Sequence, residues 1–168
     1  LALVRVSISL MPSPATLVIL AATKGVGPET CKAAVAAGMT VLGENRVHEA
    51  ILKMEVVPDA EWHLIGHLQT NKVRQAAGRF ALIHSVDSVR LATEIAKVEP
   101  KQAVLLEVNV TREPQKHGAD PDRAQEVIRE IGRLVTLRGF VALGPSHRHP
   151  APPFGGLAPT PDSPGQRP

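Results

Sequence analysis

The sequence contains no tyrosine, one tryptophan and three phenylalanines, so aromatics make up 2% of its 168 residues. Platforms on which nucleic-acid bases stack cannot be built from so few rings. Charge of either sign is also unconcentrated: lysines and arginines are scattered, and the formal net charge is only +3. Nucleic-acid surfaces generally need a concentrated basic face, so no nucleic-acid partner is expected. There is one cysteine, Cys31, which cannot close an intramolecular disulfide and fits a reducing, cytoplasmic setting. No run reaches the roughly 18 apolar residues of a membrane span. Neither a GxxxxGK[ST] phosphate loop nor a GxGxxG fingerprint occurs.

What is present is an alternation of two periods. Apolar, strand-like runs lie at residues 17–23, 40–43, 61–66, 81–86, 103–110 and 137–143. Between them the apolar residues recur at helical spacing. Pro28 opens one such segment, with Cys31, Ala34, Val35 and Gly38 on one face. Val47, Ala50, Ile51 and Met54 repeat the spacing, and a weaker pattern covers residues 69–77. Asp87 or Ser88 is placed to cap a helix burying Leu91, Ala92, Ile95 and Val98. The clearest helix has Asp120 as cap and Pro121 as first residue. Its face runs through Ala124, Val127, Ile128, Ile131, Leu134 and Val135, with Gly139 just beyond its end.

Near-continuous apolar strands joined by helices imply an α/β domain with a parallel sheet. The pattern leaves two architectures open, a doubly wound sheet or a (β/α)8 barrel. Six strands make an incomplete barrel, since a whole one usually needs about 250 residues. Residues 1–144 form the expected domain. Residues 145–168 hold eight of the fifteen prolines, and this tail is expected to be disordered because it cannot bury enough surface to offset its ordering entropy. The first residues are apolar but broken by Pro12 and Pro14. A signal peptide is the competing reading there, disfavoured because the run leads into "ATKG" rather than a cleavage site. The first residue is Leu, which suggests a fragment or an unusual start.

Ligands of α/β domains sit at the carboxyl ends of the strands. The polar residues there are Thr23, Lys24, Glu44, Asn45, His67, Ser85, Asp87, Asn109 and Thr111. Ser85, Asp87 and Asn45 serve equally well as helix caps. Lys24, in "LAATKGV", poses a sharper alternative. A partly desolvated lysine at a barrel mouth is a nucleophile able to form a Schiff base, whereas a solvated one merely closes the strand. The pattern alone leaves these level. In "HLIGH", His63 and His67 share a face of a strand but stand about 13 Å apart, and no further ligands complete a metal set. No metal site is therefore expected. "KHG", Lys116 to Gly118, reads as a solvated turn or a weak anion site.

Taken together, "LAATKGV", "GENRVHEA", "EWHLIGHLQTNK", "HSVDS", "EVNV" and "KHG" stand in the order and spacing of one family. The chain resembles the pyridoxal phosphate homeostasis proteins (the YggS/PROSC family) over about residues 17–145. The resemblance implies a barrel like the N-terminal domain of alanine racemase, the fold of type III pyridoxal-phosphate proteins. It also implies that the lysine of "ATK", Lys24, carries pyridoxal 5'-phosphate as a Schiff base. Asn45 of "GEN" and Ser85 of "HSVDS" match positions lining the cofactor pocket. The family is regarded as non-catalytic, binding the cofactor in the cytoplasm and passing it on. Pyridoxal-phosphate-dependent apoenzymes are the implied recipients, and the protein is expected to be a monomer with no membrane partner.

The chain departs from the family at both ends. Beyond "LRGFVALGP" the family continues with further strands carrying "MSxD" and "RIG" stretches that hold the phosphate, and the proline-rich tail stands in their place. The helix that precedes the first family strand is missing or replaced. A truncated or frameshifted reading frame would account for both, and an open six-strand barrel would leave two unpaired edges and bind the cofactor weakly. Two enzymatic alternatives draw on the same lysine. A racemase of this type uses a tyrosine from a second domain, and the sequence has no tyrosine. A Schiff-base aldolase needs only the lysine and nearby acid–base groups.

Overall fold

The structure, a computed structural model, describes residues 2–6 and 18–142. Among these residues seven strands run β1 to β7 in sequence: Ala2–Val6, Val18–Ala22, Val41–Glu44, Glu61–Leu64, Leu82–Val86, Ala103–Val108 and Thr136–Ala142. Five helices lie between them: α1 (Pro28–Ala36), α2 (Val47–Val56), α3 (Val73–Ala76), α4 (Val89–Ala96) and α5 (Ala124–Leu134). Each strand pairs with its sequence neighbours, β2 to β7 all in parallel. That order decides between the two architectures left open. A doubly wound sheet reverses its strand order at a switch point, while a barrel adds strands in one direction. The six parallel strands and their helices form a curled half-barrel. The expected tail, residues 145–168, lies outside the described residues.

The amino terminus corrects one expectation. β1 runs antiparallel along β2, from Ala2 opposite Ala22 to Val6 opposite Val18. The first parallel strand is therefore not a free edge. "LALVRV" is rich in strand-favouring valine, and β2 offers it an unpaired ladder; no local periodicity announces such a long-range pairing. At the opposite side of the sheet, Phe140 on β7 is 68% exposed.

Alternation along the strands divides the apolar side chains between two faces. Ala21, Leu42, Leu64, Ile83, Val104 and Leu106 join the helical residues Cys31, Ala50, Leu91, Ala92, Ile95 and Ile131 in one core. Leu20, Gly43, His63, Leu82, His84, Leu105 and Glu107 alternate with them and face the concave side. Gly43 is small for a steric reason: a Cβ there would stand 2.5 Å from Leu20 Cδ2 and 3.1 Å from Ile65 Cδ1. On β5 the pairing with β6 slips between Ile83 and Val86. Both of those residues lie in the helix-side core, so His84 and Ser85 share the gap of a local irregularity.

The helix ends hold the remaining surprises. Ser88 rather than Asp87 caps α4, accepting from Leu91 N at 3.4 Å. Asp120 accepts from Asp122 N at 3.0 Å, but the turn it caps is a 3-10 turn at Pro121–Arg123, and α5 begins at Ala124. Val98, expected to be buried, is 43% exposed because α4 stops at Ala96. Gly38 lies beyond the end of α1, at φ 93°. Gly139 does not terminate α5. It sits inside β7 opposite Leu105, where the ladder shifts register, because the chain passes from α5 to β7 with almost no loop.

Candidate functional site

Lys24 belongs to a turn built on β2. Val26 N donates to Thr23 O at 2.9 Å, and Gly25 takes φ 71°, a left-handed conformation that favours glycine. The Lys-Gly pair is thus a turn that projects a lysine from a strand end. The residue before it is held hard. Thr23 N donates to Gly43 O at 2.9 Å, and the Thr23 hydroxyl lies 2.7 Å from Glu44 Oε1 and 3.1 Å from Gly43 O. Lys53, reaching in from α2, donates to Thr23 O at 2.8 Å and forms an ion pair with Glu44. Thr23, Glu44 and Lys53 are all buried. This pair is satisfied on several sides, the condition under which buried charges are tolerated.

A cavity of about 560 Å³ opens beside that turn, lined by Lys24, Asn45, Arg46, His67, Leu68 and Lys72 among others. Its Asn45 wall is fixed by contact with Gly66, since a Cβ at position 66 would fall 2.2 Å from Asn45 O. Lys24 and Asn45, expected together from sequence, do come together here. Of the two environments that the pattern leaves open for Lys24, the described residues supply the solvated one: Lys24 is exposed at the rim. Among the described residues the strands form an open arc, and no wall faces β2 from across the mouth. Ser85 lies apart from this cavity's lining. It is 2% exposed on β5, and its hydroxyl has no hydrogen-bond partner among the described residues.

The concave side and the far rim hold groups that sequence spacing did not connect. His63 Nδ1 stands 3.0 Å from His84 Nε2, and His63 Nε2 stands 2.9 Å from Glu61 Oε1. Burial, then the neighbouring His63, pushes His84 down to about 4. His67 points elsewhere: its Nδ1 is 3.9 Å from Asp87 Oδ2, and its ring stacks on His117 at 3.8 Å between centroids. Burial lowers the His67 pKa, and His117 adds to the effect. Glu107 is buried behind this group, its carboxyl pKa raised by desolvation and further by Asp87. The partners come from β5, the residue after it, β6 and the loop that follows β6, roughly 20 to 50 residues from "HLIGH". Only the parallel register brings these strand ends side by side.

The family model of the alanine racemase N-terminal domain matches residues 7–151. A pyridoxal phosphate homeostasis protein of Aquifex aeolicus is 41% identical over 140 residues, which cover 79% of this chain and 61% of that one. The protein of the same name in Pseudomonas aeruginosa is 34% identical over 138 residues, 77% of this chain and 60% of its own. The chain therefore spans about three-fifths of the length of these curated relatives. Among solved structures, PipY of Synechococcus elongatus with pyridoxal phosphate bound superimposes with a TM-score of 0.69 at 34% identity. That match covers 77% of this chain and 64% of PipY. An alanine racemase of Clostridium difficile, at 15% identity and TM-score 0.62 over 73% of this chain and 34% of its own, shares the fold. The chain belongs to the alanine racemase N-terminal domain family and, within it, is similar to the pyridoxal phosphate homeostasis proteins.

Proposed function

We propose that this chain binds pyridoxal 5'-phosphate beside Lys24 and holds it as a Schiff base on that lysine, as a non-catalytic carrier in vitamin B6 homeostasis. The observation that carries the reading is the conjunction at one cavity of a projecting primary amine, Asn45, and the cations Arg46 and Lys72. The amine adds to the cofactor's aldehyde carbon and water leaves, so that a C=N bond replaces C=O. The cations suit a phosphate monoester, and the Ser85 hydroxyl, without a partner among the described residues, is a further polar group near the end of β5. The similarity to PipY with pyridoxal phosphate bound supports the same cofactor. We extend the proposal to a cytoplasmic monomer that delivers the cofactor to dependent apoenzymes. No helix among the described residues is long and apolar enough to cross a membrane.

The test is borohydride reduction of the full chain after incubation with pyridoxal phosphate, followed by peptide mass spectrometry. A reduced adduct on Lys24, and loss of the visible imine band in Lys24→Ala, is the expected result. Adducts spread over surface lysines, or an imine band intact in Lys24→Ala, would overturn the reading. Trapping with a simple aldehyde or ketone but not with pyridoxal phosphate would favour the aldolase alternative.

A further inference from the structure

We propose that His67, Asp87 and His117 form a binding site for one divalent transition-metal ion of the zinc or cobalt type, at the carboxyl-end mouth of the half-barrel. Each of the three offers one ligand atom, and those atoms lie within 4.8 Å of one another. They come from three adjacent strand ends: His67 follows β4, Asp87 follows β5, and His117 lies in the loop after β6. Two imidazoles and a carboxylate are a donor set suited to zinc and its neighbours, with the remaining positions left to water.

The geometry is an opened version of a coordination sphere. Metal–ligand bonds of about 2 Å in a tetrahedron hold the donors roughly 3.3 Å apart, whereas His67 Nδ1 and Asp87 Oδ2 stand 3.9 Å apart. Closing that difference needs side-chain rotation, not movement of the strands. The His67 and His117 rings lie nearly parallel, 12° between planes, so one of them turns about its side-chain torsions to aim its nitrogen inward. His117 is exposed and has room to do so.

The site is built rather than accidental in its supports. The Ser88 hydroxyl donates to Asp87 Oδ1 at 2.9 Å, which leaves Oδ2 directed toward His67 and resembles the outer contacts that orient metal ligands. The loop carrying His117 is tied back onto β6. Asn109 Nδ2 donates to Glu113 O at 2.9 Å, and Asn109 N donates to Ala119 O at 3.0 Å. Gly118 takes φ 117° and leaves no space for a Cβ, which would lie 2.6 Å from Asn109 N. Glu107, buried behind the three, contributes a carboxyl group close to Asp87 and His117. The inference is independent of the cofactor reading, although His67 also lines the cavity beside Lys24.

The experiment titrates the full chain with Co²⁺ or Zn²⁺ alone, without pyridoxal phosphate, by calorimetry and, for Co²⁺, by visible absorption. One ion per chain is expected. His117→Ala and Asp87→Asn should each weaken binding at least tenfold while the far-ultraviolet circular dichroism stays unchanged. The histidines of "SHRHP" are the competing source of imidazole, so a His147→Ala, His149→Ala double variant should retain full affinity. Absence of stoichiometric binding, unchanged affinity in His117→Ala, or loss confined to the His147/His149 variant would overturn the proposal. Because the readings use metal alone, their failure leaves the imine test on Lys24 standing, and failure of that test leaves this one standing.

Discussion

The two halves of the carboxyl-end rim handle charge in opposite ways. Under Lys24, at the ends of β2 and β3, Glu44 and Lys53 are buried and bonded to each other and to Thr23. At the ends of β4 to β6, by contrast, His67 and Asp87 stand half-exposed at 3.9 Å, with His117 stacked alongside. The first arrangement is closed and positions a neighbour. The second is loose and leaves donor atoms available. The contrast teaches that burial with full satisfaction builds a foundation, whereas partial satisfaction leaves capacity to bind.

The largest effect expected from breaking this contrast lies at the foundation. Lys53→Met strands the Glu44 carboxylate in the interior, and urea denaturation should show a loss of about 3–5 kcal/mol. Adding Glu44→Leu removes the stranded charge and should restore part of the loss, so a double variant no better than the single would contradict the picture. The concave side gives the next effect, through pH. His84 titrates near 4 in the folded protein and near 6.5 when unfolded, so the unfolded chain binds the extra proton. Stability attributable to His84 is full above pH 6.5 and falls as pH drops toward 4, by on the order of 3 kcal/mol. Glu107, with its raised carboxyl pKa, works in the opposite sense. The informative quantity is therefore the difference between wild type and His84→Gln, whose denaturation profile should be flatter over that window.

Two smaller effects sharpen the contrast. Gly66→Ala drives a methyl group into the Asn45 backbone, and overpacking of this kind costs about 1–3 kcal/mol. It should also reduce imine formation at Lys24 more than it alters metal binding. Ser88→Ala removes both the α4 cap and the bond to Asp87 Oδ1. The expected loss is about 1 kcal/mol in thermal or chemical denaturation, with weaker Co²⁺ binding as the second readout.

Local patterns were readable where local chemistry decides. The strand end at Thr23 and Lys24, the cap at the start of α4 and the core faces of α2 and α4 follow from residue type and spacing. The α/β alternation follows too, but the half-barrel does not: periodicity leaves a doubly wound sheet equally open, and only the observed order of the parallel strands decides. Features set by register were not readable. β1 finds its partner across the prolines at Pro12 and Pro14, and His67 meets Asp87 and His117 only because β4, β5 and β6 lie side by side. Gly139 shows the reverse failure. It carries the signature of a helix stop, yet it stands in a strand, because tertiary pairing with β6 outweighs the local preference. Ser85 stands at a strand end as its position predicts, but the slipped register of β5 around it has no local signature.

The antiparallel pairing of β1 carries a consequence for how such an arc could become a ring. A closed barrel needs its last strand to hydrogen-bond the first parallel one, which here is β2. From Ala2 to Val6, β1 already occupies that edge. Any strand arriving from the β7 side, whether from this chain or another, must compete for the same row of backbone donors and acceptors and evict the resident. Ring closure is then an exchange reaction whose rate and equilibrium are set by β1.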